Sequence, residues 1–221
     1  MYFQAKNILK NIYHTPKKTL IASSQCSFNV FATQFFICFS LLLCVVCCLT
    51  LQFLPIFIEF KKYIYIYIYF ILQTAPLDLE TDNFYPARKS LIESQLQKIY
   101  DGTAEMILIT SWELHSGTAC RGVNWDRHSL PELRAAVTCV GGPCLASLCR
   151  HLAQDYRSWS SGMPDLLLWR FHGEYKGEAK LVEVKGPRDC LSEQQRAWLL
   201  LLMDCGFNTE VCKVSIMPLS T

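Results

Sequence analysis

From Cys26 to Ile58 the chain carries no charged residue, and the run "FFICFSLLLCVVCCLTLQFLPIFI" within it is as long as a helix that crosses a bilayer. A stretch with so few groups to offer water has to be buried somewhere, and it divides the 221 residues into two unlike parts. Residues 1–72 form a low-complexity apolar extension, for which two readings stand. In the first, residues 27–58 are a transmembrane segment, with Lys17 and Lys18 ahead of it as the positive-inside rule requires for a cytoplasmic N-terminus. A signal peptide fits less well, because the apolar core is too long and starts too late. In the second and stronger reading the extension is the product of a mis-joined gene model. "YIYIYIY", Tyr63 to Tyr69, is what alternating A and T bases encode. As a strand it would give an aggregation-prone ribbon with no obvious gatekeeping residue.

The charge splits along the same line. The first seventy residues hold six lysines against Glu59 alone, which leaves fifteen basic and eighteen acidic residues from Gln73 onward. This half therefore lacks the strongly basic footprint of a nucleic-acid binder, and DNA binding would need a local patch or domains from elsewhere. Of twelve cysteines, Cys26, Cys38, Cys44, Cys47 and Cys48 lie in or beside the apolar run. Cys139, Cys144 and Cys149 are five apart, a spacing that neither a CxxC zinc site nor a one-faced helical ligand set requires. No secreted disulfide framework is visible, which points to a reducing compartment.

Residues 73–221 read as one α/β domain. A loop through Pro76 and Pro86 precedes a helix in "RKSLIESQLQKIYDG", where Leu91, Ile92, Leu96 and Ile99 recur at helical spacing and Gly102 supplies a stop. "AEMILITSWELHSG" suits a helix, although its Ile-Leu-Ile-Thr centre suits a strand equally. Ser129 and Glu132 form a capping box for a helix that Gly141 and Gly142 close, and "CLASLCRHLAQDYRSW" predicts the next. After a polar turn at Ser158–Gly162 the period changes. "DLLLWRF" and "KLVEVK" predict a β-hairpin joined by the turn-rich "HGEYKGEAK". Ser192 and Gln195 box the start of a helix that ends near Gly206, and "TEVCKVSI" is a final strand.

Asp165, Glu183 and Lys185 stand where apolar residues would pack better. Residues two apart on a strand share a face, so Glu183 and Lys185 project together with Val182 and Val184 behind them. A hairpin that brings Asp165 alongside gathers two carboxylates and an ammonium, and like charges held close are costly unless a cation joins them. Mg²⁺ suits this, since it takes oxygen ligands and is commonly held by one or two carboxylates plus substrate phosphate. A phosphodiester-cleaving site follows, with Lys185 orienting water or steadying developing charge. An ExK pair alone is ordinarily a solvated ion pair. A Pro-Asp strand start, a hairpin-length gap and an ExK inside an apolar strand are together much less ordinary.

"GMPDLLLW", "KLVEVKGPRDCLSEQQ", "LCRHLAQDYR" and "GVNWDRHSL" resemble the C-terminal nuclease domain of the Fanconi-associated nuclease family, in the VRR-NUC branch of the PD-(D/E)xK nucleases. The resemblance runs from about Gln73 to Val214. It implies a restriction-endonuclease-like mixed sheet flanked by helices and a requirement for Mg²⁺ or Mn²⁺. It also implies 5′ flap endonuclease and 5′-to-3′ exonuclease activity on branched or flapped DNA in interstrand crosslink repair, in the nucleus. By resemblance Asp165 and Glu183 are metal ligands with the backbone carbonyl of Val184, Lys185 is the catalytic lysine, and Gln195 acts near the scissile phosphate. Recruitment by ubiquitinated repair factors would run through domains this chain lacks, and a membrane partner enters only if residues 27–58 span a bilayer.

The chain departs from the family pattern in two ways. A further metal-binding Glu upstream of "PLDL" is replaced here by the Ile-Tyr tract, and the DNA-gripping domains before it are missing. Glu93 could be offered as a substitute, but it matches another position and reads as a solvated helix face. The expectation is a fragment with impaired activity. Its alternatives are an inactive DNA-binding or interaction remnant and a single-pass membrane protein with a soluble α/β domain. His115, His128, His151 and His172 read as surface or capping residues, Arg150 and Arg157 as a helix face, and Trp159 and Trp169 as packing groups rather than base platforms.

Overall fold

The computed structural model of the chain describes residues 20–21, 27–32, 74–172 and 176–214. Its elements run β1 (Leu20–Ile21), β2 (Ser27–Ala32), α1 (Phe84–Lys98), a π-helical turn (Ile99–Thr103), α2 (Ala104–His115), α3 (Leu130–Val140), α4 (Gly142–Gln154), β3 (Leu166–His172), β4 (Lys176–Lys185), α5 (Glu193–Asp204) and β5 (Asn208–Lys213). The strands lie in the order β1-β2-β3-β4-β5. β3 and β4 pair antiparallel and β4 and β5 parallel, so the sheet is mixed. Within the segment 27–58 read as a possible membrane span, Ser27–Ala32 forms β2, of which Asn29–Ala32 pairs antiparallel with the start of β3, and the remainder lies outside the described residues. The Ile-Tyr tract also lies outside them. Among the described residues no helix is long and apolar enough to cross a membrane.

α4 is the central helix. Leu145, Ala146, Leu148, Cys149, Leu152 and Ala153 are all buried, at the spacing that the leucine stripe predicts. Around it Ile92, Leu96 and Ile99 from α1 and its turn, and Leu133, Ala136 and Val137 from α3, close one core over Leu167, Trp169 and Leu181 of the sheet. Tyr156 and Trp169 are core members, and Trp159 packs edge-on against Trp198 at 5.2 Å. α5 has the predicted capping box at its start. At its end Gly206, at φ +89°, donates to the Met203 carbonyl while Phe207 N–H reaches Leu202, which satisfies two of the last carbonyls.

Several boundaries differ from expectation for identifiable reasons. α1 begins at Phe84, so Pro86 sits inside the first turn, where its missing N–H is not needed. "AEMILITSWELH" is helical. α4 stops at Gln154, where the Asp155 carboxylate accepts from Ser158 N–H at 3.0 Å and starts a turn. β4 starts at Lys176, inside the stretch read as turn. Gly177 belongs to the strand because α3 lies directly on it, and a Cβ there would stand 2.5 Å from Cys139 Sγ.

His128 is the one histidine whose placement overturns its surface reading. It is buried, and burial pushes its imidazole down to about 4, with Arg127 acting in the same direction. Between about pH 6.5 and pH 4 the unfolded chain takes up a proton that the folded chain refuses. Acidification through that window is expected to remove up to about 3 kcal/mol of stability. Urea unfolding from pH 7 to pH 4.5 checks this, because His128→Leu should show a visibly flatter pH dependence than the parent chain. Equal slopes would exclude His128 as the source.

Candidate active site

The register Leu166↔Val182 places Asp165, one residue before β3, at the same sheet end as Glu183 on β4. Asp165 Oδ2 accepts from Val184 N–H at 2.8 Å, which ties the head of one strand to the tail of the next. Glu183 and Lys185 share a face as the alternation requires, with Glu183 Oε1 2.9 Å from Lys185 Nζ. Both are buried, with 2% of Glu183 and 8% of Lys185 exposed. Two charges out of water persist only if their remaining hydrogen-bonding capacity is met, and α5 supplies the partner. Gln195 donates from Nε2 to Glu183 Oε1 at 2.6 Å and accepts at Oε1 from Lys185 Nζ at 2.8 Å. The same oxygen accepts from Ser192 N–H at 3.0 Å, so one capping box both starts the helix and braces the site.

Burial pushes the Glu183 carboxyl above its ordinary range, the nearby Asp165 carboxylate adds to this, and Lys185 opposes both. Gln195 and Lys185 both meet Glu183 at Oε1, and Val184 N–H meets Asp165 at Oδ2. The donors gathered here, two carboxylates with the Val184 peptide between Glu183 and Lys185, are hard oxygen groups of the kind Mg²⁺ and Mn²⁺ take, and they fit such an ion.

Asp165, Glu183, Lys185 and Gln195 are thus brought together as the sequence suggested. Glu93 is not with them, and it is no solvated helix face. It receives Arg150 Nε at 2.9 Å and Nη2 at 2.8 Å together with the Tyr85 hydroxyl, bridging α1 to α4. The guanidinium holds its carboxyl down at about 2. Arg150 is likewise committed to this bridge rather than lying on an open face. Among the described residues no group of three or more acidic, histidine or cysteine side chains is placed to hold a metal.

Sequence reasoning named the polar turn at Ser158–Gly162 that leads into Asp165 but missed what holds it, and it missed the turn that follows Lys185. Gln194 and Trp198 of α5 bond the carbonyls of Ser158 and Ser161. Gly186 N–H donates to Asp189 Oδ2 at 3.0 Å, closing the turn between β4 and α5. A G-x-x-D spacing that ends three residues before the Ser192 cap was the available signal for the second. The first had none, because main-chain acceptors leave no mark in sequence.

A mixed sheet with an acid at the head of one strand and an ExK at the tail of the next, backed by a capped helix, defines a nuclease domain of the restriction-endonuclease-like class. Residues 100–216 match the model of the VRR-NUC domain, and the chain belongs to that nuclease family. It is 79% identical over 144 residues to the Fanconi-associated nuclease 1 homolog of Oryza sativa subsp. japonica, covering 65% of this chain and 15% of the relative. It is 42% identical over 146 residues to human Fanconi-associated nuclease 1, covering 64% and 14%. A crystal structure of paFAN1 bound to DNA with a 2-nucleotide 5′ flap and a gap superposes with a TM-score of 0.70 at 23% identity, over 88% of this chain and 33% of that one, a likeness of fold. The chain therefore spans only about a seventh of the length of these curated relatives.

Proposed function

We propose that this domain is the catalytic part of a structure-specific DNA repair nuclease. It would hydrolyse phosphodiesters with Mg²⁺ or Mn²⁺, cutting 5′ flaps and degrading 5′ to 3′ at branched DNA in interstrand crosslink repair in the nucleus. The observation that carries the reading is the hydrogen-bonded cluster of Asp165, Glu183, Lys185 and Gln195 at one end of the sheet. The high identity to Fanconi-associated nuclease homologues supports the DNA substrate, as does the flap DNA bound to paFAN1.

Asp165, Glu183 and the Val184 carbonyl would hold the cation. Once bound, the cation would polarise the phosphate and acidify water. Lys185 supplies a fixed positive charge beside the reacting phosphate, and because Glu183 and Gln195 already orient its ammonium, little reorganisation is needed as charge develops. Gln195 is the brace that sets this orientation. With Glu93 committed to Arg150, the site has two carboxylates, and cleavage by this chain alone is expected to be slow. The acid-leaning charge of residues from 73 onward further implies that most of the grip on DNA comes from domains outside the chain.

The test is Mn²⁺-dependent cleavage of a labelled 5′ flap by the full chain and by Asp165→Ala. The variant should lose at least about 100-fold in rate while its melting temperature stays close to the parent. Equal cleavage by both proteins would remove the reading. A folded parent that binds flap DNA without cutting it would favour the interaction-remnant alternative.

A further inference from the structure

α5 touches the site twice. Gln195 faces Glu183 and Lys185, while Gln194 and Trp198 hold the segment that carries Asp165. Gln194 Nε2 donates to the Ser158 carbonyl at 2.7 Å and lies 3.5 Å from that of Ser161. Trp198 Nε1 donates to the Ser161 carbonyl at 2.5 Å, from a ring that is almost wholly buried. Gly162 completes the clamp. It adopts φ +88°, and a Cβ there would stand 2.7 Å from Gln194 Cγ and 3.0 Å from Trp198 Cδ1. Only Met163 and Pro164 then separate the clamp from Asp165. Pro164 is buried with its φ fixed by its ring, and Met163 before it is confined to extended backbone. The link is short and stiff, so a shift at Ser161 passes to the Asp165 carboxylate, whose other tether is the Val184 N–H.

We propose that Gln194 and Trp198 are positioning residues for Asp165, so that α5 sets the separation of the two carboxylates that receive the metal. This deepens the metal-site reading above and rests on it. Neither residue touches the metal ligands directly. Both act through main-chain carbonyls, which would allow any side chain of similar reach that donates an N–H to serve at position 194.

The experiment measures Mn²⁺ binding to the full 221-residue chain without DNA, from the free-ion paramagnetic resonance signal, alongside thermal melting. Asp165→Ala is the control for the site itself. Gln194→Ala and Trp198→Phe should each weaken Mn²⁺ binding roughly three- to tenfold, the scale of one hydrogen bond. Gln194→Ala should melt within about 4 °C of the parent. Gln194→Lys, which keeps a donor of similar reach, should regain the parent affinity. If Asp165→Ala abolishes binding while both clamp variants bind like the parent, the positioning role is overturned. It is equally overturned if their affinity falls only in step with melting temperature and lysine brings no recovery. If Asp165→Ala binds Mn²⁺ as the parent does, the metal-site reading itself fails, and the clamp's proposed role fails with it.

Discussion

Replacing Lys185 with methionine is expected to cost about 3 kcal/mol of stability at pH 7, and the deficit should close as the solution is acidified. Methionine keeps most of the packing volume, so the cost is electrostatic: Glu183, 2% exposed, loses the ammonium that pairs with it. The chain has an escape, which is to protonate Glu183. Protonation limits the penalty at neutral pH to a few kcal/mol, since each pH unit above a carboxyl's ordinary value costs about 1.4 kcal/mol. The Glu183 carboxyl is already held above its ordinary range, and removing the ammonium that opposes this raises it further. A folded-state value raised above the unfolded one gives stability that is present at low pH and lost as pH rises through it. Relative to the parent, the variant should therefore be worst above neutrality and close to equal near pH 4.5. Adding Glu183→Gln should recover most of the loss at pH 7. Urea titrations at several pH values read this directly, and a deficit independent of pH would mean that the pair is not an electrostatic unit.

Gly142→Ala is the second large effect, and it is purely steric. α4 begins at Gly142 and rests on the π-helical turn, so a Cβ at this position would stand 2.1 Å from the Ile99 carbonyl oxygen and 3.1 Å from that of Tyr100. Both are main-chain atoms, and no side chain can swing away to make room. The whole helix must move, and with it the stripe from Leu145 to Leu152 that anchors the core. The expected cost exceeds about 3 kcal/mol, or about 10 °C in melting temperature for a chain of this size. Gly117→Ala is the matched control. Gly117 adopts φ +82° with open space around it, so alanine there brings only backbone strain of about 1–2 kcal/mol. If the two variants melt alike, α4 does not dock on the turn as described.

Much of the site was legible because its constraints are local. Strand alternation alone puts Glu183 and Lys185 on one face, and a Pro-Asp step before an apolar run places Asp165 at a strand head. The two capping boxes, Ser129–Glu132 and Ser192–Gln195, both fixed helix starts correctly because the motif is satisfied within four residues. What misled was chemistry with two outlets. Gly177 looked like a turn residue because glycine tolerates turns, whereas it is needed for the close approach of Cys139. Glu93 looked solvated because its sequence neighbours are polar, while its partner Arg150 lies on another helix.

The sequence by itself determined the core helices other than α2, the hairpin and the acid-x-lysine face, since each depends on periodicity or on contacts a few residues long. Only the tertiary structure decided that Gln195 bridges Glu183 to Lys185, that α5 clamps the loop before Asp165, that Glu93 is tied up by Arg150 and that His128 is buried. These contacts join residues far apart along the chain. Their partners are often main-chain atoms, or side chains with many possible mates, and the choice among them is made by packing.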